Sequence, residues 1–108
     1  MYRTIIIFKD GLTEEELKTV RKIAEKNFDN RIGKAENISE NPSQCIFEGG
    51  EDLNVAMLFA NCELMDIDEF RNAVRAWEWI DEDSPRENHS ILEAYEEILT
   101  YRKRAKIK

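Results

Sequence analysis

The chain opens on a dense apolar block. Ile5-Ile6-Ile7-Phe8 is β-branched and aromatic and stops at the turn pair Asp10-Gly11, which predicts a buried strand over Tyr2 to Lys9. Thr13-Glu14-Glu15-Glu16 then has the form of a capping box. In it Thr13 accepts from the amide three residues on, and Glu16 reaches back to the amide of Thr13. Leu12 and Leu17 flank the box in the positions of a hydrophobic staple. Leu17, Val20, Ile23, Ala24 and Phe28 follow at helical spacing, so a helix is expected from about 13 to 29.

From Arg31 to Ala60 the period shortens. Ile32 to Ile38, Gln44 to Glu48 and Leu53 to Ala60 read as three short strands, broken at Asn41-Pro42-Ser43 and at Gly49-Gly50-Glu51-Asp52. Leu53, Val55, Met57 and Phe59 alternate, and the two glycines suit a hairpin that pairs them with Cys45-Ile46-Phe47. A helix over 52–64 is the competing reading, because Ala, Met and Leu are good helix formers.

Asp66-Ile67-Asp68-Glu69 makes a second capping box, with Met65 and Phe70 as its staple. Phe70, Ala73, Val74, Trp77 and Ile80 then predict a helix from 67 to about 81. Asp81-Glu82-Asp83 is a short break. Ser84-Pro85-Arg86-Glu87 supplies a third box, and Ile91, Leu92, Tyr95, Ile98, Leu99 and Arg102 continue along one face of a last helix. The predicted order is β-α-β-β-β-α-α. This is a single α+β domain over residues 1–108, an antiparallel or mixed sheet packed by helices, with a C-terminal helical hairpin and a frayed basic tail at 104–108.

Composition narrows the class without naming a function. A chain of 108 residues with 42% apolar and 36% charged residues suits one folded, soluble domain. Its longest apolar runs fall far below the roughly 20 residues of a membrane span, and no cleavable signal fits the start. Two cysteines make no disulfide framework, so a reducing, cytoplasmic setting is expected.

Dividing the formal net charge of −7 along the chain changes its meaning. Residues 1–47 carry eight acids and eight bases. Residues 48–97 carry fifteen acids against Arg71, Arg75 and Arg86, a net of −12, and the last eight residues hold five bases and no acid. Several of the acids cap helices. The set that reads as available for function is Glu63, Glu78, Asp81, Glu82, Asp83, Glu93, Glu96 and Glu97. An acidic block of this kind repels nucleic acid and attracts basic proteins.

Candidate chemistry is sparse. His89 is the only imidazole; it sits within Glu87-Asn88-His89-Ser90 in the first turns of the last helix, off its apolar stripe, and reads as a solvated surface residue rather than part of a catalytic set. Cys45 and Cys62 stand apart with no CxxC, read as buried small residues, and with one His fall short of a zinc set. Asp66/Asp68/Glu69 and Asp81/Glu82/Asp83 could hold a hard cation, but they read as caps and solvated charge, and Gly49-Gly50 has no Lys-Ser/Thr to make a phosphate loop. No metal, cofactor or enzymatic activity is therefore expected.

Trp79 is the informative oddity. On the predicted helix it lies about 200° from Trp77, beside Arg75, Glu78, Glu82 and Asp83, where an aromatic among carboxylates would anchor an interface. Packing against the last helix, or a local strand with Trp77 and Trp79 on one face, is the alternative. Tyr101 precedes Arg102-Lys103-Arg104, a basic cluster that could touch phosphate.

The reading that follows is a non-catalytic acidic interaction protein. Glu63, Arg75, Glu78, Trp79, Asp81, Glu82, Asp83, Glu93, Glu96 and Glu97 would meet a basic partner protein, such as a nuclease or other nucleic-acid-binding enzyme. It would act as an inhibitor or an immunity or antidefence protein that occupies the partner's nucleic-acid site. Neither a membrane nor direct nucleic-acid contact is expected. The second reading is a small regulatory or ligand-binding domain, acting as a homodimer and carrying a defined apolar pocket.

Overall fold

β1 (Tyr2–Phe8) forms the centre of a four-stranded antiparallel sheet. In the computed structural model, which describes residues 1–32, 36–83 and 89–106, the strand order is β2-β1-β3-β4. The other elements are α1 (Glu14–Ile32), β2 (Gln44–Gly49), α2 (Asn54–Met65), α3 (Asp68–Ala73), β3 (Val74–Asp81), β4 (His89–Ser90) and α4 (Ile91–Lys106). The α+β class and the antiparallel sheet agree with the hydropathy pattern. The order of elements after α1 does not.

Register puts Thr4, Ile6 and Phe8 of β1 beside Phe47 and Cys45 of β2 and Trp79, Trp77 and Val74 of β3. All of these are buried, and with Val20, Ala24 and Phe28 of α1, Met57, Ala60 and Leu64 of α2, and Ile91 and Tyr95 of α4 they form one core. The helices thus cover one face of the sheet. Residues of opposite parity, among them Ile5, Ile46 and Glu78, face away from that core and keep partial or full exposure.

The start of α1 follows its sequence signal. The Glu16 amide donates to Thr13 Oγ1 at 3.1 Å, and the Thr13 amide donates to Glu16 Oε1 at 3.2 Å. The strand expected over Ile32 to Ile38 is not found in the described residues. Ile32 closes α1, residues 33–35 lie outside them, and Asn37 and Ile38 only cap the open edge of β2. There the Ile46 amide donates to Asn37 Oδ1 at 3.0 Å and Ile46 O accepts from the Ile38 amide at 2.9 Å.

The hairpin of Cys45-Ile46-Phe47 with residues 53–60 is corrected to strand, turn and helix. After Gly50 a 3-10 turn (Glu51–Leu53) leads into α2, whose buried residues Met57, Ala60, Asn61, Leu64 and Met65 recur at helical spacing. Gly49 permits this packing. A Cβ there would lie 2.8 Å from Met57 Sδ and 3.1 Å from Leu53 Cβ. Period-two alternation over four residues also satisfies part of a helical pattern, and here the helix prevails.

The helix expected over residues 67–81 is also corrected. Only Asp68–Ala73 is helical, and Val74–Asp81 is a strand antiparallel to β1, from Tyr2↔Asp81 to Phe8↔Val74 with a bulge beside Ile7. The second capping box does not form. Ile67 is the N-cap and makes no side-chain cap bond, while Asp66 Oδ1 accepts from Tyr95 and Arg102 instead. With β3 in the sheet, the C-terminal helical hairpin is absent. The box at Ser84-Pro85-Arg86-Glu87 lies outside the described residues. α4 is helical through Lys106, where the sequence predicts a frayed tail from residue 104, and residues 107 and 108 lie outside the described residues.

Candidate functional site

Trp79 is where sequence and structure differ most. It is buried, at 7% exposure, so it is no exposed interface anchor. β3 places Trp77 and Trp79 on one face, the strand alternative to the helix. Trp79 stacks on Tyr2 at 5.0 Å between ring centroids and meets the His89 ring at 5.7 Å. Trp77 donates its indole N–H to Thr4 Oγ1 at 2.8 Å. The Trp79 indole N–H is buried and has no acceptor among the described residues. Such an orphan donor is uncommon in a folded interior.

Trp79 lines a cavity of about 290 Å³ between α2, α4 and the end of the sheet. Leu58, Cys62 and Met65 come from α2, His89 from β4, and Ile91, Ala94, Tyr95 and Ile98 from α4. One end is fixed by polar contacts. Tyr95 Oη donates to Asp66 Oδ1 at 3.1 Å, and Arg71 donates to Met65 O at 2.8 Å and to Tyr95 Oη at 3.3 Å. Arg102 donates to Asp66 Oδ1 at 3.1 Å and tethers α4 to the end of α2. The Asp68 carboxylate against Arg71 raises that guanidinium's pKa further, so it stays charged. A larger hollow of about 690 Å³ along α1 is lined by Lys22, Glu25, Lys26 and Asp29, all exposed charges, and has no apolar wall of this kind.

The cavity opens beside apolar side chains that nothing in the described residues covers. Val55, Leu58 and Phe59 of α2 are 57%, 38% and 58% exposed, and Cys62 is exposed as well. Their spacing of three and four makes them one line along the helix, roughly opposite the buried line of Met57, Ala60, Asn61 and Leu64. On α4, Ile98 and Tyr101 are 38% and 75% exposed and continue the line from Ala94. Leu58, Cys62, Ala94 and Ile98 all line the cavity, so the two lines are one surface.

Acids border this surface. Glu51 and Asp52 stand at the start of α2 and Asp66 at its end, with Glu63 on the flank away from α4. Glu93, Glu96 and Glu97 share a second hollow on α4 with Thr100 and Tyr101. Among the side chains described, the bases at this end are Arg71, paired with Asp68, Arg102, bonded to Asp66, and Lys103, about 200° round the helix from Tyr101.

The acids singled out in the sequence are therefore divided. Glu63, Glu93 and Glu97 border the apolar surface, whereas Glu96 lies about 160–200° round α4 from Ala94 and Ile98. Glu78 lies on the opposite face of the sheet, and Arg75 is exposed beside the bulge. Asp81, Glu82 and Asp83 gather near the chain start. Glu82 pairs with Arg3 at 2.7 Å, Asp83 pairs with the Met1 amino group at 3.0 Å, and Asp81 Oδ1 accepts from the Asp83 amide. The bond from Asp83 raises the pKa of that amino group.

His89 sits on β4 rather than in a helix, and it shares the cavity with Cys62, but no hydrogen bond joins the two. Cys62 is exposed, contrary to its reading as a buried residue. Cys45 is buried, and burial pushes its thiol up to about 12. No group of three His, Cys, Asp or Glu gathers to hold a metal among the described residues, and no helix among them is long and apolar enough to cross a membrane.

The sequence did carry a signal for this site. Val55 to Ala60 holds more apolar residues than one buried helix face needs, and the surplus is Val55, Leu58 and Phe59. Comparison of the chain with protein-family models, with curated proteins and with solved structures finds no match.

Proposed function

We propose that the protein is a non-catalytic interaction protein whose docking surface is the apolar α2–α4 face, and that its partner is a basic, amphipathic segment of another protein. One observation carries this reading: α2 is apolar on both sides, and its outer line, Val55, Leu58, Phe59 and Cys62, is left open beside a cavity. A helix apolar all round is normally covered all round, and an exposed apolar patch with a polar rim marks a binding surface. The rim chooses the partner. Glu51, Asp52, Glu63, Glu93 and Glu97 favour Lys and Arg flanking an apolar stripe and disfavour acidic or nucleic-acid ligands. In its narrower form the partner is a nucleic-acid-binding enzyme whose basic site is occupied, and the acidity of this face is the support for that form.

The probe is a fluorescent helical peptide with a Leu stripe flanked by lysines, titrated by anisotropy. The control is the same stripe flanked by glutamates. The lysine peptide is expected to bind at least tenfold more tightly, with affinity falling as salt rises. Equal binding of the two peptides contradicts the reading. So does a dimer of the free protein, seen by sedimentation, that Phe59→Ser dissolves, because the face would then belong to a second copy.

A further inference from the structure

We infer that the cavity between α2, α4 and β3 receives a neutral phenol ring, supplied as a tyrosine side chain of the docked partner. The source of the ring rests on the docking reading above, whereas the chemistry of the cavity stands on its own lining. At about 290 Å³ the space lies at the lower edge of ligand pockets and suits one ring, not a cofactor. Its walls are Leu58, Met65, Ile91 and Ile98, which favour an apolar body.

Two side chains of the same lining, Trp79 and His89, carry polar groups. The Trp79 indole N–H is buried without an acceptor among the described residues. The exposed His89 side chain, whose ring lies 5.7 Å from that indole, makes no hydrogen bond with the described residues. An indole can only donate, while a neutral imidazole keeps one accepting nitrogen. A hydroxyl answers both, accepting from Trp79 and donating to His89. An ether or carbonyl answers the indole alone, and a phenylalanine ring answers neither. A carboxylate would meet the acidic border of Glu93 and Glu97.

The test uses the intact protein and three ring probes: p-cresol, p-methylanisole and toluene. Two-dimensional NMR reads the two indole N–H signals, with Trp79→Phe identifying which is which. p-Cresol is expected to move the Trp79 signal downfield and to bind at least about fivefold more tightly than toluene, the lower end for two net hydrogen bonds. In His89→Leu the advantage of p-cresol over p-methylanisole is expected to disappear. Toluene binding as tightly as p-cresol, or an unmoved Trp79 signal, overturns the inference. If Trp79→Phe does not fold, the wild-type comparison of the three probes still decides it. The peptide titration separates the two claims. Tight binding of the lysine peptide with no preference for p-cresol sinks this inference alone, and a preference for p-cresol with no peptide binding sinks the docking reading.

Discussion

Trp77 gives its indole hydrogen to Thr4 Oγ1 at 2.8 Å, across the β1–β3 pair and in the middle of the core. Thr4 in turn has Asn61 Oδ1 and Glu78 O within 3.4 Å, so one hydroxyl links both strands to α2. Two residues further along the same face, Trp79 has no such acceptor among the described residues. The contrast separates a tryptophan held by the fold from one that borders a site. Thr4→Val keeps the shape and removes the acceptor, leaving a buried donor unpaired. A loss of about 1–3 kcal/mol in urea unfolding is expected, and unchanged stability would count against this polar link.

Gly49→Ala tests the packing of α2 on β2. The added methyl would meet Met57 Sδ at 2.8 Å and Leu53 Cβ at 3.1 Å. The methionine can move, but a Cβ cannot move without its backbone. Destabilisation of about 1–3 kcal/mol is expected. In a Met57→Ala background the Gly49→Ala penalty should keep more than half of its size, because the Leu53 contact persists. In the hairpin arrangement of residues 45–59 neither contact would exist.

These residues also show how far the fold was legible. β1 and α1 carry local signals, a β-branched run and a reciprocal capping box, and both elements form where those signals put them. α2 and β3 do not. Leu53 to Ala60 satisfies both periods over a short window, and Phe70 to Ile80 spans two elements whose apolar residues fall by chance at helical spacing. Pairing with β1 along Tyr2 to Phe8 makes Val74–Asp81 a strand, and no local pattern contains that partner. The site suffers in the same way. Its acids and its surplus of apolar residues in α2 can be counted in sequence, but the cavity exists only because β3 and β4 bring Trp79 and His89 against α2 and α4.

The two thiols should differ sharply in reactivity. Cys62 is exposed and should react with a disulfide reagent in the native protein at mildly alkaline pH, whereas Cys45 should react only on unfolding.

Burial lifts the Cys45 thiol from 9.0 to about 12, so the folded state keeps this proton to higher pH than the unfolded chain does. The stability it contributes is complete below pH 9.0 and is lost as pH rises through about 12. At about pH 10, one unit above the unfolded thiol's value, the wild type should have lost about 1 kcal/mol more than Cys45→Ala, relative to neutral pH. Parallel losses in the two proteins would show that the thiol is not buried as described.

The central claim concerns which face binds, and a pair of exposed variants tests it most directly. Phe59→Ser lies on the α2 line and Glu78→Lys on the far side of the sheet, and both residues are exposed, so neither should alter the melting temperature much. With the lysine-flanked peptide, Phe59→Ser is expected to weaken binding about tenfold or more, and Glu78→Lys to leave it within about twofold. The reverse pattern, with Glu78→Lys abolishing binding and Phe59→Ser leaving it intact, would contradict the account and return the binding site to the acids of the sheet.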